Sequence, residues 1–433
     1  MSKISFTLSN VFMNESTEPS NKMQTFVARQ PIFDRQQNIY AYELLYRGSK
    51  KNSYEESDAD AATSRVIVDS FLMLGVDSLT GGNPAFINMT YNLLLEEYVS
   101  LLPKDNVFVE ILENVEPDEH VIEVCRKLKS NGYTIVLDDF EYADKFIPLI
   151  DLADIIKVDF RLSPIEEQKA IVHRFPNRKI RFLAEKVETM EEFRRAVEMG
   201  YTLFQGYFFG RPHIVTGQGI PPQLNHYIRL LHEINKSEPN FKNIENIIKK
   251  DLSLSYKLLR YINSAFFGLR ATVNSILHAL TLLGVMEIRK WSSLVFIANM
   301  SKNVSEELVI QSVVRARFAE SLANPLGQPK RKDDLFLMGL FSLIDSIVNR
   351  PKAEVLEKIP IMDDVKEAIL GEQGTLGQVL NCIIAYEHGE WEQVSELCKL
   401  LAIDETLLPV YYINAVKWAD QSVRTQILAE EPQ

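Results

Sequence analysis

Short apolar runs, each leading into a polar residue, recur through the first half of the chain. The clearest run is Val107-Phe108-Val109, which leads to Glu110. The polar residues that end the runs are Glu43, Asn88, Glu110, Asp138, Lys157, Glu185 and Gln205, spaced by 45, 22, 28, 19, 28 and 20 residues. This spacing fits one strand plus one helix per unit, which predicts a parallel sheet. Seven or eight such units favour a closed barrel over an open sheet.

In a barrel of this kind the carboxyl ends of the strands share one face, where catalysis takes place. We therefore expect the carboxylates, the amide, the lysine and the glutamine to converge at one mouth. Carboxylate and amide oxygens are ligands for Mg²⁺ or Mn²⁺ rather than zinc. Adjacent Asp138 and Asp139 can contribute to two metals, and two ions can stabilise the attacking and leaving oxygens of phosphate-ester hydrolysis. A single acid at a strand end more often caps a helix, so this inference depends on the whole set.

Composition limits the class of protein. The 433 residues are enough for two or three domains. A net charge of −12 argues against binding to a nucleic-acid polymer, which needs a basic surface. The three cysteines are widely separated in sequence and form no ligand motif, which favours a reducing cytoplasm. With neither a bilayer-length apolar stretch nor a signal peptide, we expect a cytoplasmic protein without membrane insertion.

The chain divides into two predicted domains. Residues 1–24 are polar and predict a mobile tail. Residues 25–212 form the predicted barrel, which starts with a hairpin whose first strand is antiparallel to its neighbour. The Gly- and Pro-rich segment 213–222 is the predicted linker. Residues 223–433 show helical periodicity without strand-like runs and predict an all-helical domain.

The stretch Glu43-Leu44-Leu45-Tyr46-Arg47 resembles the Glu-Ala-Leu-x-Arg signature of EAL-domain cyclic-di-GMP phosphodiesterases. The resemblance continues in order through Asn88, Glu110–Glu113, Asp138–Phe140, Lys157–Asp159, Ala184–Glu188 and Gln205–Tyr207. It implies an EAL-type (β/α)₈ TIM-like barrel, hydrolysis of cyclic-di-GMP to linear pGpG, and a two-metal Mg²⁺ or Mn²⁺ site. It also allows a homodimer.

The resemblance also assigns roles to individual residues. The implied metal ligands are Glu43, Asn88, Glu110 and Asp138 for one ion, and Asp138, Asp139 and Glu185 for the other. The implied catalytic residues are Lys157, Glu185, Glu188 and Gln205, with Lys157 assisting the water. Arg47 is implied to contact the dinucleotide.

Three positions depart from the family pattern. Leu44 replaces the signature alanine, and Lys186 replaces a glycine. The loop after Asp139 lacks the usual glycine, is about two residues shorter than in the family, and brings another carboxylate, Glu141, near the expected substrate position. The sequence therefore leaves two hypotheses open: an active phosphodiesterase, or a catalytically inactive adaptor that binds cyclic-di-GMP or a protein partner. A third reading, an unrelated metal-dependent barrel hydrolase, fits the ligand set alone.

The helical half resembles an HDOD domain through Asp251–Leu254, Leu258–Ala265 and Ser275–Gly284. This domain is similar to HD hydrolases but does not keep their function. Ser342-Leu343 stands where the His-Asp pair of an HD enzyme would be. We therefore expect neither a metal nor hydrolysis there, and assign the domain a regulatory or partner-binding role.

Overall fold

A computed structural model describes residues 26–47, 76–206 and 225–422, apart from short gaps at 97, 141–142, 176–178, 265–266, 270, 301–304 and 372–373. The predicted tail, the linker and Glu141 lie outside the described residues.

Eight strands close into a barrel in which each strand is paired with its neighbours in sequence order. Strand β1 is antiparallel to both β2 and β8, and the other pairs are parallel. The strands are β1 (Phe26–Asp34), β2 (Ile39–Arg47), β3 (Ala85–Met89), β4 (Val107–Ile111), β5 (Thr134–Leu137), β6 (Ile155–Asp159), β7 (Arg181–Glu185) and β8 (Leu203–Gln205). The predicted barrel and its opening antiparallel hairpin are confirmed.

One apolar side chain from each strand fills the barrel interior. These eight buried residues, which we call the plug, are Ile32, Ala41, Phe86, Phe108, Val136, Ile155, Leu183 and Leu203. Side chains alternate between the two faces of a strand, so residues two positions away also point inward. For β2 to β8, a polar residue lies two positions after the plug residue. For antiparallel β1, the polar residue lies two positions before it. We call this second layer the mouth ring: Gln30, Glu43, Asn88, Glu110, Asp138, Lys157, Glu185 and Gln205.

Helices follow most of the strands, as the spacing predicts. Those described around the barrel are α1 (Val76–Thr80), α2 (Tyr91–Leu95), α3 (Glu119–Ser130), α4 (Ile147–Ile150), α5 (Ile165–Arg174) and α6 (Met190–Met199). Helix α6 shows how local sequence sets its ends. Thr189 and Glu192 form a reciprocal capping box at its start, and Gly200 ends it with a φ of 106°.

The rest of the described chain is all-helical, which confirms the second predicted domain. Its helices are α7 (Asn225–Ile234), α8 (Phe241–Lys249), α9 (Leu252–Ile262), α10 (Ile276–Met300), α11 (Glu306–Ser321), α12 (Lys332–Phe341), α13 (Ile344–Val348), α14 (Lys352–Lys358), α15 (Asp363–Leu370), α16 (Thr375–His388), α17 (Trp391–Leu401) and α18 (Leu408–Ser422). Helix α10 is kinked at Gly284, whose φ is 73°. Glycine adopts such a positive φ without the steric cost of a side chain, so the helix changes direction there.

The helical domain packs on the β1–β2 hairpin through buried polar groups. The Tyr42 hydroxyl donates to Glu307 Oε2 over 2.6 Å. The Arg29 guanidinium lies over the Tyr42 ring, 4.5 Å from its centre, and within 4.0 Å of Glu307 and 3.9 Å of Asp420. Arg29, Tyr42 and Glu307 are all buried. Because buried charges need partners to offset their lost hydration, this network ties the orientation of the two domains to specific contacts.

Two cysteines that are distant in sequence meet in the helical domain. Cys382 of α16 and Cys398 of α17 are buried free thiols with their sulfurs 3.9 Å apart. The sequence did not predict this pair, because a helix-to-helix contact brings the thiols together. Within the described part of the chain, no helix is both long and apolar enough to cross a membrane.

Candidate active site

Lys157 lies at the centre of the mouth ring and joins carboxylates from four other strand ends. Its ammonium group contacts Glu110 and lies 2.7 Å from Glu185, 2.9 Å from Asp138 and 3.3 Å from Glu43. Lys157 is only 1% exposed. The predicted convergence of these side chains is thus what the structure shows, because all of them stand one layer above the plug.

Glu43 fixes the orientation of two amide side chains in the ring. Asn88 Nδ2 donates to Glu43 Oε1 over 3.2 Å. Gln205 Nε2 donates to Glu43 Oε2 over 2.7 Å and to Gln30 Oε1 over 2.9 Å. Because both amide groups donate an N–H to Glu43, their carbonyl oxygens are available to other groups.

Several oxygens of the site are buried without a hydrogen-bond donor. They are Asn88 Oδ1, Glu110 Oε2, Asp139 Oδ1 and Gln205 Oε1. A buried acceptor without a partner costs free energy, and native structures rarely keep one without a water, an ion or a function. A group of such acceptors, all oxygen and all beside the ring, is suited to a hard cation. The donor set therefore fits Mg²⁺ or Mn²⁺.

A compact acidic cluster lies at one side of the ring. One carboxylate oxygen from each of Asp138, Asp139 and Glu185 falls within 4.8 Å of the others, which is close enough to hold one ion. Asp139 adopts a positive φ of 36°, a backbone conformation that is uncommon for residues other than glycine. The other implied ligand set, Glu43, Asn88, Glu110 and Asp138, lies around the Lys157 ammonium group, which contacts its three carboxylates. Asp138 is the carboxylate that the two implied sets share.

Burial and neighbouring charges shift the pKa values of the ionisable groups in the ring. Burial, reinforced by neighbouring carboxylates, raises the pKa of Glu110 and Glu185 well above the usual value, although Lys157 opposes the shift. Burial alone would lower the pKa of Lys157, but the surrounding carboxylates raise it well above its usual value. The raised pKa values show that the ring crowds more carboxyl groups together than one ammonium group can keep ionised, and a bound divalent cation would relieve that crowding.

Glu188 and Arg47 lie apart from this ring. Glu188 forms an ion pair with Arg161 over 2.9 Å and is about one-third exposed. Arg47 donates to the Trp391 carbonyl over 3.2 Å and to Ser395 Oγ over 3.3 Å, both in α17 of the helical domain. The structure thus brings together the predicted metal ligands, Lys157 and Gln205, but it places Glu188 and Arg47 in other contacts.

Sequence reasoning missed two residues of the site. Gln30 belongs to the mouth ring, and its Nε2 also donates to the His388 carbonyl over 3.3 Å. It could have been found by counting two residues back from the plug position, because β1 runs antiparallel. Tyr46 is the other: its hydroxyl donates to the Asn88 backbone carbonyl, and burial beside Glu110 and Glu43 raises its pKa above the usual value.

Comparison with known proteins matches residues 76–212 to the EAL domain and residues 220–353 to the HDOD domain. The uncharacterized protein YuxH of Bacillus subtilis is 36% identical over 405 residues, which are 92% of this chain and 98% of YuxH. The cyclic di-GMP phosphodiesterase CdgJ of Vibrio cholerae is 32% identical over 398 residues, which are 91% of this chain and 92% of CdgJ.

Among solved structures, a calcium/cy-diGMP complex of Klebsiella pneumoniae BlrP1 is 23% identical, with a TM-score of 0.36. The match covers 44% of this chain and 56% of BlrP1, so the chain spans little more than half of that protein. The two matched domains lie in the order that the sequence motifs predict, with the EAL domain before the HDOD domain.

Proposed function

Because the chain belongs to the family of proteins in which an EAL domain precedes an HDOD domain, we propose that its barrel hydrolyses cyclic-di-GMP to linear pGpG with Mg²⁺ or Mn²⁺. The relative CdgJ is named a cyclic di-GMP phosphodiesterase. The observation that carries the proposal is the set of buried oxygens without donors around a complete mouth ring.

The proposed ligands divide into two sets that share one carboxylate. Glu43, Asn88, Glu110 and Asp138 would hold one ion, and Asp138, Asp139 and Glu185 the other. When bound, two divalent ions supply charge stabilisation to the attacking and leaving oxygens of a phosphodiester.

The protein's own groups prepare the site for this reaction. Glu43 holds the amides of Asn88 and Gln205 so that their carbonyl oxygens point away from it. Lys157 keeps a proton on its ammonium group among the carboxylates, and can donate a hydrogen bond to an attacking water or to charge that develops on the phosphate. The buried plug closes the barrel beneath the ring and excludes water from that side.

The test is turnover of cyclic-di-GMP by the purified full-length protein with Mn²⁺, with pGpG separated by chromatography. Glu43→Gln keeps the size of the side chain but removes a carboxylate that three ring residues contact, so we expect loss of turnover by at least about 100-fold. Turnover by the wild type that persists in Glu43→Gln would exclude this site as its source. Absence of turnover in the wild type would contradict the phosphodiesterase proposal.

The second candidate function is a non-catalytic receptor or adaptor, and the position of Arg47 favours it. Arg47 is held by α17 and lies over the Phe26 ring, 4.8 Å from its centre, so the helical domain competes for the residue proposed to contact the dinucleotide. Gln30 adds another connection, because it contacts both Gln205 and the His388 carbonyl.

These contacts support a regulatory role for the HDOD domain, in which a partner that moves α16 and α17 would release Arg47. Binding of cyclic-di-GMP without turnover would favour the receptor. Neither binding nor turnover would favour an adaptor that acts through a protein partner. A homodimer and a cytoplasmic location stay predictions.

A further inference from the structure

Lys186 adds a second ammonium group next to the acidic cluster of Asp138, Asp139 and Glu185. Its Nζ contacts Asp159 and lies 4.0 Å from Asp139 Oδ2. The backbone φ of Lys186 is 53°, in the left-handed region that suits glycine. A lysine is therefore present at this position despite a conformational cost.

The position of Lys186 makes the two halves of the site unlike. Lys157 touches carboxylates of both halves: Glu43 and Glu110 on one side, Glu185 on the other, and the shared Asp138. Lys186 adds its charge only on the side of Asp139. Asp159, which is buried, shares that charge and also accepts the backbone N–H groups of Arg161 and Leu162 over 2.6 and 3.1 Å.

We propose that Lys186 weakens divalent-cation binding by the cluster of Asp138, Asp139 and Glu185. This inference rests on the proposed function, because it concerns one of the same ions. Occupancy of this cluster is then set by the concentration of free cation, or the ion arrives with the anionic substrate.

The size of the effect follows from the distance between the charges. An ion bound to Asp139 at about 2 Å would lie roughly 6 Å from an ammonium group that is 4.0 Å from the carboxylate. Even in a medium as polar as water, repulsion between a single and a double charge at that distance weakens binding by about tenfold. Lys186 is about half exposed, so the value for water is the suitable one, and added salt reduces it.

The experiment is titration of the full-length protein with Mn²⁺, followed by calorimetry and by the electron paramagnetic resonance signal of free Mn²⁺. Lys186→Met removes the charge and keeps a side chain of similar length. Lys186→Arg keeps the charge as the matched control. We expect Lys186→Met to tighten one Mn²⁺ site by about tenfold and leave the other within about twofold, with Lys186→Arg like the wild type.

A double variant separates two possible causes of the tighter Mn²⁺ binding. Lys186→Met removes a positive charge from both Asp139 and Asp159. Adding Asp159→Asn tests whether the loss of that charge beside Asp139 is enough to tighten binding. We expect the tighter binding to persist, and its disappearance would overturn the assignment to Asp139.

The remaining outcomes distinguish this inference from the proposed function. A second ion bound only by Lys186→Met supports the inference. Identical Mn²⁺ affinities in the wild type and Lys186→Met overturn it, while the metal-dependent function stands. Absence of Mn²⁺ binding in both proteins overturns the inference together with the proposed metal site.

Discussion

Replacing Lys157 with methionine should destabilise the metal-free barrel strongly. Lys157 is 1% exposed and contacts four carboxylates, at 2.7 Å for Glu185 and 2.9 Å for Asp138. Methionine is similar in length, so the change leaves little cavity and tests the loss of the positive charge alone. Removing one partner of a buried ionic group costs about 3–5 kcal/mol, because the remaining charges stay buried without compensation.

This cost should appear as a large change in melting temperature. For a domain of about this size, 1 kcal/mol shifts the melting temperature by roughly 2–4 °C, so we expect a decrease of about 6–20 °C. The assay is scanning calorimetry of the full-length protein in a chelating buffer. All three tryptophans, Trp291, Trp391 and Trp418, belong to the helical half. Trp391 lies against Phe26 of β1, so the comparison is made in a Trp391→Phe background, where the other two report the helical domain. The barrel transition should move more than the fluorescence transition.

A surface lysine provides the control. Lys145 is about half exposed and pairs with Glu116 over 2.9 Å, and such pairs contribute about 0–1 kcal/mol. Lys145→Met should therefore leave the melting temperature almost unchanged. If Lys157→Met also melts like the wild type in chelator, the ammonium group does not hold the carboxylates together and the electrostatic reasoning is wrong.

Three further predictions concern other parts of the molecule. Gln30→Met should lower kcat/KM by roughly three- to tenfold, about the worth of one hydrogen bond, because Gln205 loses the acceptor that orients its amide; unchanged kinetics would exclude this positioning role. Tyr42→Phe should lower the free energy of unfolding by about 1.5–3 kcal/mol in denaturant titrations, because it removes a hydrogen bond to a buried carboxylate; an unchanged midpoint would contradict the domain contact. Burial would raise the pKa of Glu320, but Lys290 and Arg317 lower it below about 4.5. The stability that Glu320 adds over Glu320→Gln should therefore be present above about pH 4.5 and disappear as the pH falls through the folded-state pKa; a pH-independent difference would contradict this.

The barrel could be predicted because the sequence pattern that encodes its strands is local and periodic. Each apolar run is a strand whose two-residue alternation places a plug residue and then a ring residue, as Phe108 and Glu110 show. The ring followed from the same rule, since strand ends of a parallel barrel meet at one mouth. Gln30 was missed because β1 runs in the opposite direction, so the polar residue of this strand precedes the plug residue Ile32 instead of following it.

The contacts between the domains could not be predicted in this way. Arg47 lies four residues after Glu43 on the same strand, and alternation alone would turn it toward the mouth. Strand β2 instead continues to pair with β1 as far as Phe26 and Arg47. There α17 lies close enough to accept a hydrogen bond from the Arg47 side chain. Its partner Trp391 is 344 residues away in sequence. Contacts of this kind depend on how two finished domains fit together, and no local pattern encodes that fit.

The same separation should let the ring tolerate change around it. Plug and backbone pairing hold Glu43, Asn88 and Glu110 in place, whereas the position of Lys186 depends on one left-handed residue after β7. Substitutions in the loops can thus change cation affinity, substrate contact or coupling to the helical domain without moving the ligands. On the proposed function, the ring supplies the ligands for the ions, and residues that the barrel pattern does not fix, such as Lys186 and Arg47, set the catalytic rate.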